Sequence, residues 1–328
     1  MPSAITERAN AFVADHLPEA QGLGRALAEL IDEPEEFVAA MRDGFERLAD
    51  EEYARAQERI VPGTGPVFGV RSPLLAAIAR QLRPALRQSS ASSALWLADR
   101  LAAESERELV LFSHVPLARA LPDDPERSWQ LMRRLARRAG DWVSVDELAT
   151  LFAQGILLEH FRWAELEQLV YSSDKWERRL VGSAIARLPF ELPKHQRAAL
   201  ASSLGLTLIK SLLGDADTDV QKSLSWALRS WNEVDEQGVA AVLRDEAETA
   251  QRTDDGHRSW VLRDALTWPG TEPRLARDVR STLEGVRRRP GQPSTSAASA
   301  VASAFTGLER MSEQAVAMQG DRQRLAGG

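Results

Sequence analysis

Trp142 and Asp146 stand four residues apart in the segment DWVSVDELA. On a helix beginning near Asp141 they fall on one face, one turn apart. An indole beside a carboxylate offers a flat, electron-rich surface for a cation and a negative charge next to it. That combination suits the stabilisation of a positively charged intermediate. The same spacing also fits a core tryptophan followed by a first-turn aspartate that complements the helix dipole. Two further segments combine tryptophan with bases: Trp176 with Arg178 and Arg179 in SSDKWERRLVGSAIA, and Trp226 with Lys222 and Arg229 in DVQKSLSWALRSW. Facing a groove, these bases would meet phosphates; for any single tryptophan, filling an inter-repeat gap in the core is the ordinary role. A third basic cluster, Arg133, Arg134, Arg137 and Arg138, reads as a solvated outer face.

Other chemistries are excluded by composition. The chain has no Cys, which removes disulfides, thiolate nucleophiles and cysteine-based metal sites. Its five His show no metal-ligand spacing, so no cofactor or metal is expected. The formal charge of −7 argues against a polyanion partner, but residues 1–60 hold 14 acids and 6 bases, so the acidity is an N-terminal property. Only four of the 41 bases are Lys. Arginine binds phosphate bidentately and stacks on bases, although a general preference for Arg would leave the same composition.

The elements that position these residues read as helices. Apolar residues recur at helical spacing, as in Leu95, Ala98, Leu101 and in Leu180, Ala184, Leu188, and nothing alternates with period two for long. Ser72-Pro73 marks a capped start with a first-turn Pro, while Ser105…Glu108, Asp174…Glu177 and Thr218…Gln221 have capping-box spacing, with Asp141 as a further cap. Starts near 105, 141, 174 and 218 are 36, 33 and 44 residues apart, close to the ~40-residue period of HEAT-type helix pairs. The expectation is an all-α, HEAT-like helical-repeat solenoid with a concave groove.

Its expected organisation is an acidic N-terminal helical extension over 1–49, a repeat domain over 50–286, and a low-complexity, mobile tail over 287–328 with a short helix at about 306–319. The stretch from Val61 to Pro66 packs two Pro and two Gly into six residues and must be a turn. No run of about 18 apolar residues suggests a membrane span. The first twenty residues carry acids and no apolar core of a signal peptide, so a cytoplasmic protein is expected.

Five segments in order resemble the AlkD-like DNA glycosylases, HEAT-like-repeat proteins that excise alkylated purines. FGVRSPLLAAIARQL resembles the family's glycine-apolar-x-Thr-Pro helix entry, and ESERELVLFSHVPLA its Pro-Glu-Arg-Glu-Phe helix. DWVSVDEL resembles its Trp-Asp-x-Val-Asp catalytic helix, with Val143 where the pattern has an acid. SSDKWERRLVGSAI and DVQKSLSWALRSW resemble its Ser-Asp-Asn-x-Trp-x-x-Arg and Gln-Lys-x-x-x-Trp-x-Leu-Arg segments. Together they span about residues 50–245.

The resemblance implies that Asp146 is the catalytic carboxylate, that Trp142 and Trp226 contact the lesion nucleotide, and that Arg179 contacts the backbone beside it. Arg71, standing where the pattern has Gln, joins Arg178, Lys222 and Arg229 as DNA-binding candidates. The implied partner is duplex DNA carrying N3- or N7-alkylated purines, bound by a monomer near the nucleoid. The family works without a pocket that swallows the base, a trait that would admit bulky adducts. Two rival readings keep the fold and drop the enzyme: a HEAT-like protein-binding scaffold, and a non-catalytic binder of damaged DNA.

Overall fold

The structure, a computed structural model, describes residues 4–61 and 65–304. The described residues form helices and no strands, and the chain divides into two compact units, residues 1–158 and 159–328. The predicted all-α repeat architecture is what the structure shows. The helical stretch expected at 306–319 and half of the Pro/Gly turn, residues 62–64, lie outside the described residues.

The first unit contains α1 (Ala4–Ala28), α2 (Pro34–Arg47), α3 (Glu51–Ile60), α4 (Ser72–Gln88), α5 (Ala91–Ala102), α6 (Arg107–Phe112), α7 (His114–Ala120), α8 (Pro125–Arg138) and α9 (Trp142–Leu158). One layer runs α2, α5, α8; the other runs α4, α7, α9, with α6 leading into α7. The segment ESERELVLFSHVPLA, read as one helix, is broken at Ser113. Pro116 has no N–H to donate to the carbonyl of Phe112, and Ser113 Oγ donates to Val110 O at 2.6 Å.

The acidic N-terminal stretch shares a core with the helices that follow it. Phe37, Met41 and Phe45 from α2 join Leu74, Ile78 and Leu82 from α4 in one buried cluster. α1 lies close along α4: a Cβ at Gly24 would meet Ile78 O at 2.6 Å.

The second unit contains α10 (Arg162–Val170), α11 (Lys175–Arg187), α12 (Ser202–Leu212), α13 (Thr218–Trp231), α14 (Glu236–Thr253), α15 (Gly256–Ala265) and α16 (Pro273–Thr282). Helices α10, α12, α14 and α16 pack in sequence as one layer, and α11, α13 and α15 as the other. The helices of that second layer begin at 175, 218 and 256, which preserves the repeat near 40 residues. α11 and α13 approach closely enough that a Cβ at Gly182 would clash with Ser223, and Trp231 Nε1 donates to Ile185 O at 2.7 Å across the same seam.

Residues 287–304 run back over this unit. Thr295 N donates to Gly214 O at 2.9 Å, Gln292 O lies 2.9 Å from His257 Nε2, and Ala298 is buried.

Carboxylates set several helix starts, at positions that partly differ from the sequence expectation. Asp174 caps α11, accepting from Trp176 N at 2.8 Å, while Glu177 turns to Ser172 Oγ. α13 is capped one residue earlier than expected: Asp217 accepts from Asp219 N and Val220 N, and Thr218 is already inside the helix. Gln221 is buried and donates to Asp215 O instead. Ser72 also lies within its helix, behind Arg71, and α6 begins after Glu106 without a side-chain cap. Glu108 is drawn away by a stronger demand: its carboxylate accepts N–H bonds from Phe68, Gly69 and Val70 at 3.2, 2.7 and 3.3 Å. That fixes the turn entering α4, where Gly69 adopts φ +84° and a Cβ would meet Asp50 O at 2.5 Å.

Candidate nucleic-acid interface

In the first unit, Asp141 sets the start of α9. Its Oδ1 accepts from Val143 N at 2.8 Å and Ser144 N at 3.0 Å, and its Oδ2 accepts from Ser144 Oγ at 2.6 Å. The cap is buried, with Arg107 Nη2 3.8 Å away. Val145, Leu148, Ala149 and Phe152 take the inward face of α9. Trp142 and Asp146 are left on the outward side, about 6 Å apart along the axis. Trp142 is 40% exposed and Asp146 half-buried. A large aromatic held at a surface against its transfer preference contrasts with Trp129, fully buried against Phe152 and Gly155.

Arg71 is placed at the entrance to α4 and is held internally. Its Nε and Nη2 bond Asp50 Oδ2 at 2.8 and 2.7 Å, and its guanidinium sits 4.8 Å from the Tyr53 ring centre. Burial pushes the Asp50 carboxyl upward, but the Tyr53 N–H and the Arg71 guanidinium outweigh it and leave the pKa below the ordinary carboxylate value.

In the second unit, the packed pair α11 and α13 carries six of the sequence-selected residues. Lys222, Trp226 and Arg229 share a face of α13 by their spacing. Lys222 is the most open, with 60% of its side chain exposed and Asp219 Oδ1 at 3.6 Å. Trp226 is half-buried under the Arg187 guanidinium, 5.2 Å from its ring centre. Arg229 Nη1 donates to Asp264 Oδ2 at 2.6 Å. Arg178 is committed to the local fold: it donates to Asp215 Oδ2 at 2.7 Å and to Ser172 O and Ser173 O. Arg179 is buried and donates from Nη1 to Asp219 O at 2.7 Å, tying α11 to the first turn of α13. Lys175 lies over the Trp176 ring at 4.3 Å and pairs with Asp219 at 3.1 Å.

The sequence reading passed over two sets of bases. Arg187 has a buried Nε without a hydrogen-bond partner. Arg80, Arg83 and Arg87 repeat at helical spacing on the exposed side of α4. The recurrence i, i+3, i+7 was legible, but without a neighbouring aromatic or acid it carried no chemical signature. Among the described residues, no group of three or more His, Asp or Glu is placed to hold a metal ion, and no helix is long and apolar enough to cross a membrane.

The fold and these side chains define a helical-repeat protein with an exposed Trp one turn from a half-buried Asp and with basic helix faces. The DNA alkylation repair enzyme family matches residues 41–268, more than half of the chain, and the protein belongs to that family. Its role is in the repair of alkylated DNA, and DNA is its partner. Among solved structures, the fold is similar to that of a "Predicted DNA alkylation repair enzyme from Enterococcus faecalis". The two share 16% identity with a TM-score of 0.51, over 74% of this chain and 98% of that one. Among curated proteins, none matches this sequence.

Proposed function

We propose that the protein is a monofunctional DNA glycosylase that hydrolyses the N-glycosidic bond of N3- and N7-alkylated purines in duplex DNA. The observation carrying this reading is the Trp142–Asp146 pair, held at the solvent-facing start of α9 by the buried Asp141 cap, inside the family-matched segment.

An N3- or N7-alkylated purine is cationic and already a good leaving group, so the base needs no protonation. The barrier lies in the positive charge that develops on the deoxyribose as the bond breaks. Asp146 stabilises that oxocarbenium-like sugar and orients or deprotonates the attacking water. Trp142 presents its indole face to the deoxyribose and the cationic base, and Trp226 is a further candidate contact to the lesion nucleotide. Lys222 and Arg229 supply phosphate contacts, and Arg179, Arg178 and Arg71 are further DNA-contacting positions. The protein works as a monomer without a cofactor, and with no requirement to enclose the base it accepts bulky adducts.

The test is release of free base from duplex DNA containing 7-methylguanine or a bulky N7 adduct, by the native protein and Asp146→Asn. The reading expects release by the native protein, lowered about 10²- to 10³-fold by Asp146→Asn with DNA affinity retained. Equal release by both would remove Asp146 from catalysis. Binding without release by either would leave a damage binder, and absence of binding would leave a protein scaffold.

A further inference from the structure

The sequence-selected arginines of this protein have internal partners: Arg71 has Asp50, Arg178 has Asp215, Arg229 has Asp264, and Arg179 has the carbonyl of Asp219. A surface that grips a polyanion gains most from cations that are not already neutralised. Arg80, Arg83 and Arg87 on α4 meet that condition. All three are exposed, and among the described residues none has an ion pair, a hydrogen bond or an aromatic partner. They are unpaired although the unit's first 60 residues carry 14 acids.

Arg83 and Arg87 also border a cleft of about 370 Å³ between α4, α7 and α9. Its walls include Val115 and Leu151, His114, and Glu147, the residue next to Asp146. Arg119, the other arginine in the cleft, is spent on closing the end of α4 through Leu86 O and Ser89 O. Arg119 is also paired with Asp123, and burial holds the His114 pKa down to about 4, so near neutral pH the unpaired positive charge here comes from Arg83 and Arg87.

We propose that Arg80, Arg83 and Arg87 form a phosphate-binding rail on α4 that holds one strand of the DNA backbone along the mouth of the cleft beside α9. The inference rests on the reading of the chain as a DNA-acting protein and adds to it the element that supplies affinity in the first unit. Geometry favours a strand over a small anion. From Arg80 to Arg87 the helix rises about 10 Å, the length of duplex axis over which one strand presents about three phosphates, at ~3.4 Å of axis per step. Three guanidinium groups spread over that length do not converge on one phosphate. An anion drawn into the cleft would meet the Glu147 carboxylate, whereas a strand following the α4 face stays beside the arginines.

The experiment measures affinity for undamaged duplex DNA by fluorescence anisotropy across a salt series, using the full chain. The variants are Arg80→Gln/Arg83→Gln/Arg87→Gln and a charge-matched control, Arg59→Gln/Arg137→Gln/Arg244→Gln, whose sites are exposed and lie on other helices. Neutralising three phosphate contacts should flatten the slope of log K against log salt by about 2.7, at about 0.9 per phosphate, and weaken binding at low salt at least about tenfold. The control should keep the native slope, and helix content and melting temperature should match the native protein in both variants.

A native slope in the rail variant, or equal flattening in the control, would overturn the inference. Failure of the glycosylase reading looks different: no base release from alkylated DNA by the native protein, with the slope difference intact. A native protein with no affinity for DNA overturns both.

Discussion

Gly182→Ala tests the seam that carries the second unit's indole and bases. Glycine in the middle of a helix is intrinsically unfavourable, and replacement by Ala on an exposed helix should stabilise by about 1 kcal/mol. At this position the added methyl would meet Ser223 Oγ and come within 2.9 Å of both the Ser223 Cβ and its carbonyl carbon. The hydroxyl can rotate, but the carbonyl carbon belongs to the backbone of α13 and cannot move alone. The helices must separate by several tenths of an ångström. Overpacking of this kind costs about 1–3 kcal/mol.

The same separation stretches two bonds that cross the seam, Trp231 Nε1 to Ile185 O and Arg179 Nη1 to Asp219 O, both 2.7 Å. Each contributes about 1 kcal/mol, more for the charged one. Setting these losses against the propensity gain leaves a net destabilisation of about 2–4 kcal/mol. The assay is urea unfolding followed by circular dichroism, with Ser223→Ala as second partner in a double-mutant cycle. Removing the hydroxyl relieves one of the three contacts, so the double variant should recover part of the loss and not all of it. A Gly182→Ala protein as stable as the native one, or more stable, would refute the close approach of α11 and α13.

Two further perturbations follow from the first unit. Glu108→Gln removes the charge from a buried carboxylate serving three backbone N–H groups and should cost about 1–3 kcal/mol in urea unfolding; a loss under about 0.5 kcal/mol would place those N–H groups elsewhere. His114 stays neutral in the folded protein down to about pH 4, while the unfolded chain takes up its proton near 6.5. Unfolding therefore binds a proton between those values, and stability is lost as pH falls from 6.5 to 4, by at most about 3 kcal/mol because water reaches the ring through the adjoining cleft. His114→Gln should flatten that window in stability measured against pH. The loss between pH 4.5 and 2 should remain, since the Arg42 guanidinium holds the Glu106 carboxyl down to about 2. An unaltered window would take His114 out of the titration.

The legible features were those whose signal is local. Asp141 and Asp174 cap the helices they precede, because an aspartate at that position reaches the next turn's N–H groups wherever the chain goes. Trp142 and Asp146 share a face because four residues make about one turn. Where two acceptors compete, local spacing fails: Asp217 displaces Thr218 at the start of α13, and Glu108 leaves its capping box for a turn 40 residues earlier. The partners of the basic residues were hidden in the same way. Arg178, Arg229 and Arg71 have the right type at the right spacing, yet their partners Asp215, Asp264 and Asp50 lie 21 to 37 positions away.

By itself, the sequence determined that this protein is built of helices repeating at about 40 residues and where its Trp–Asp pair lies, since hydrophobic period and i, i+4 geometry are properties of the chain itself. Tertiary structure decided which tryptophans are core, as Trp129 and Trp231 are, and which stand at the surface, as Trp142 does. It also decided which arginines are neutralised and which remain open, as Arg80, Arg83 and Arg87 do. Burial and ion pairing depend on segments far apart in the chain, and those meet only when the helices pack.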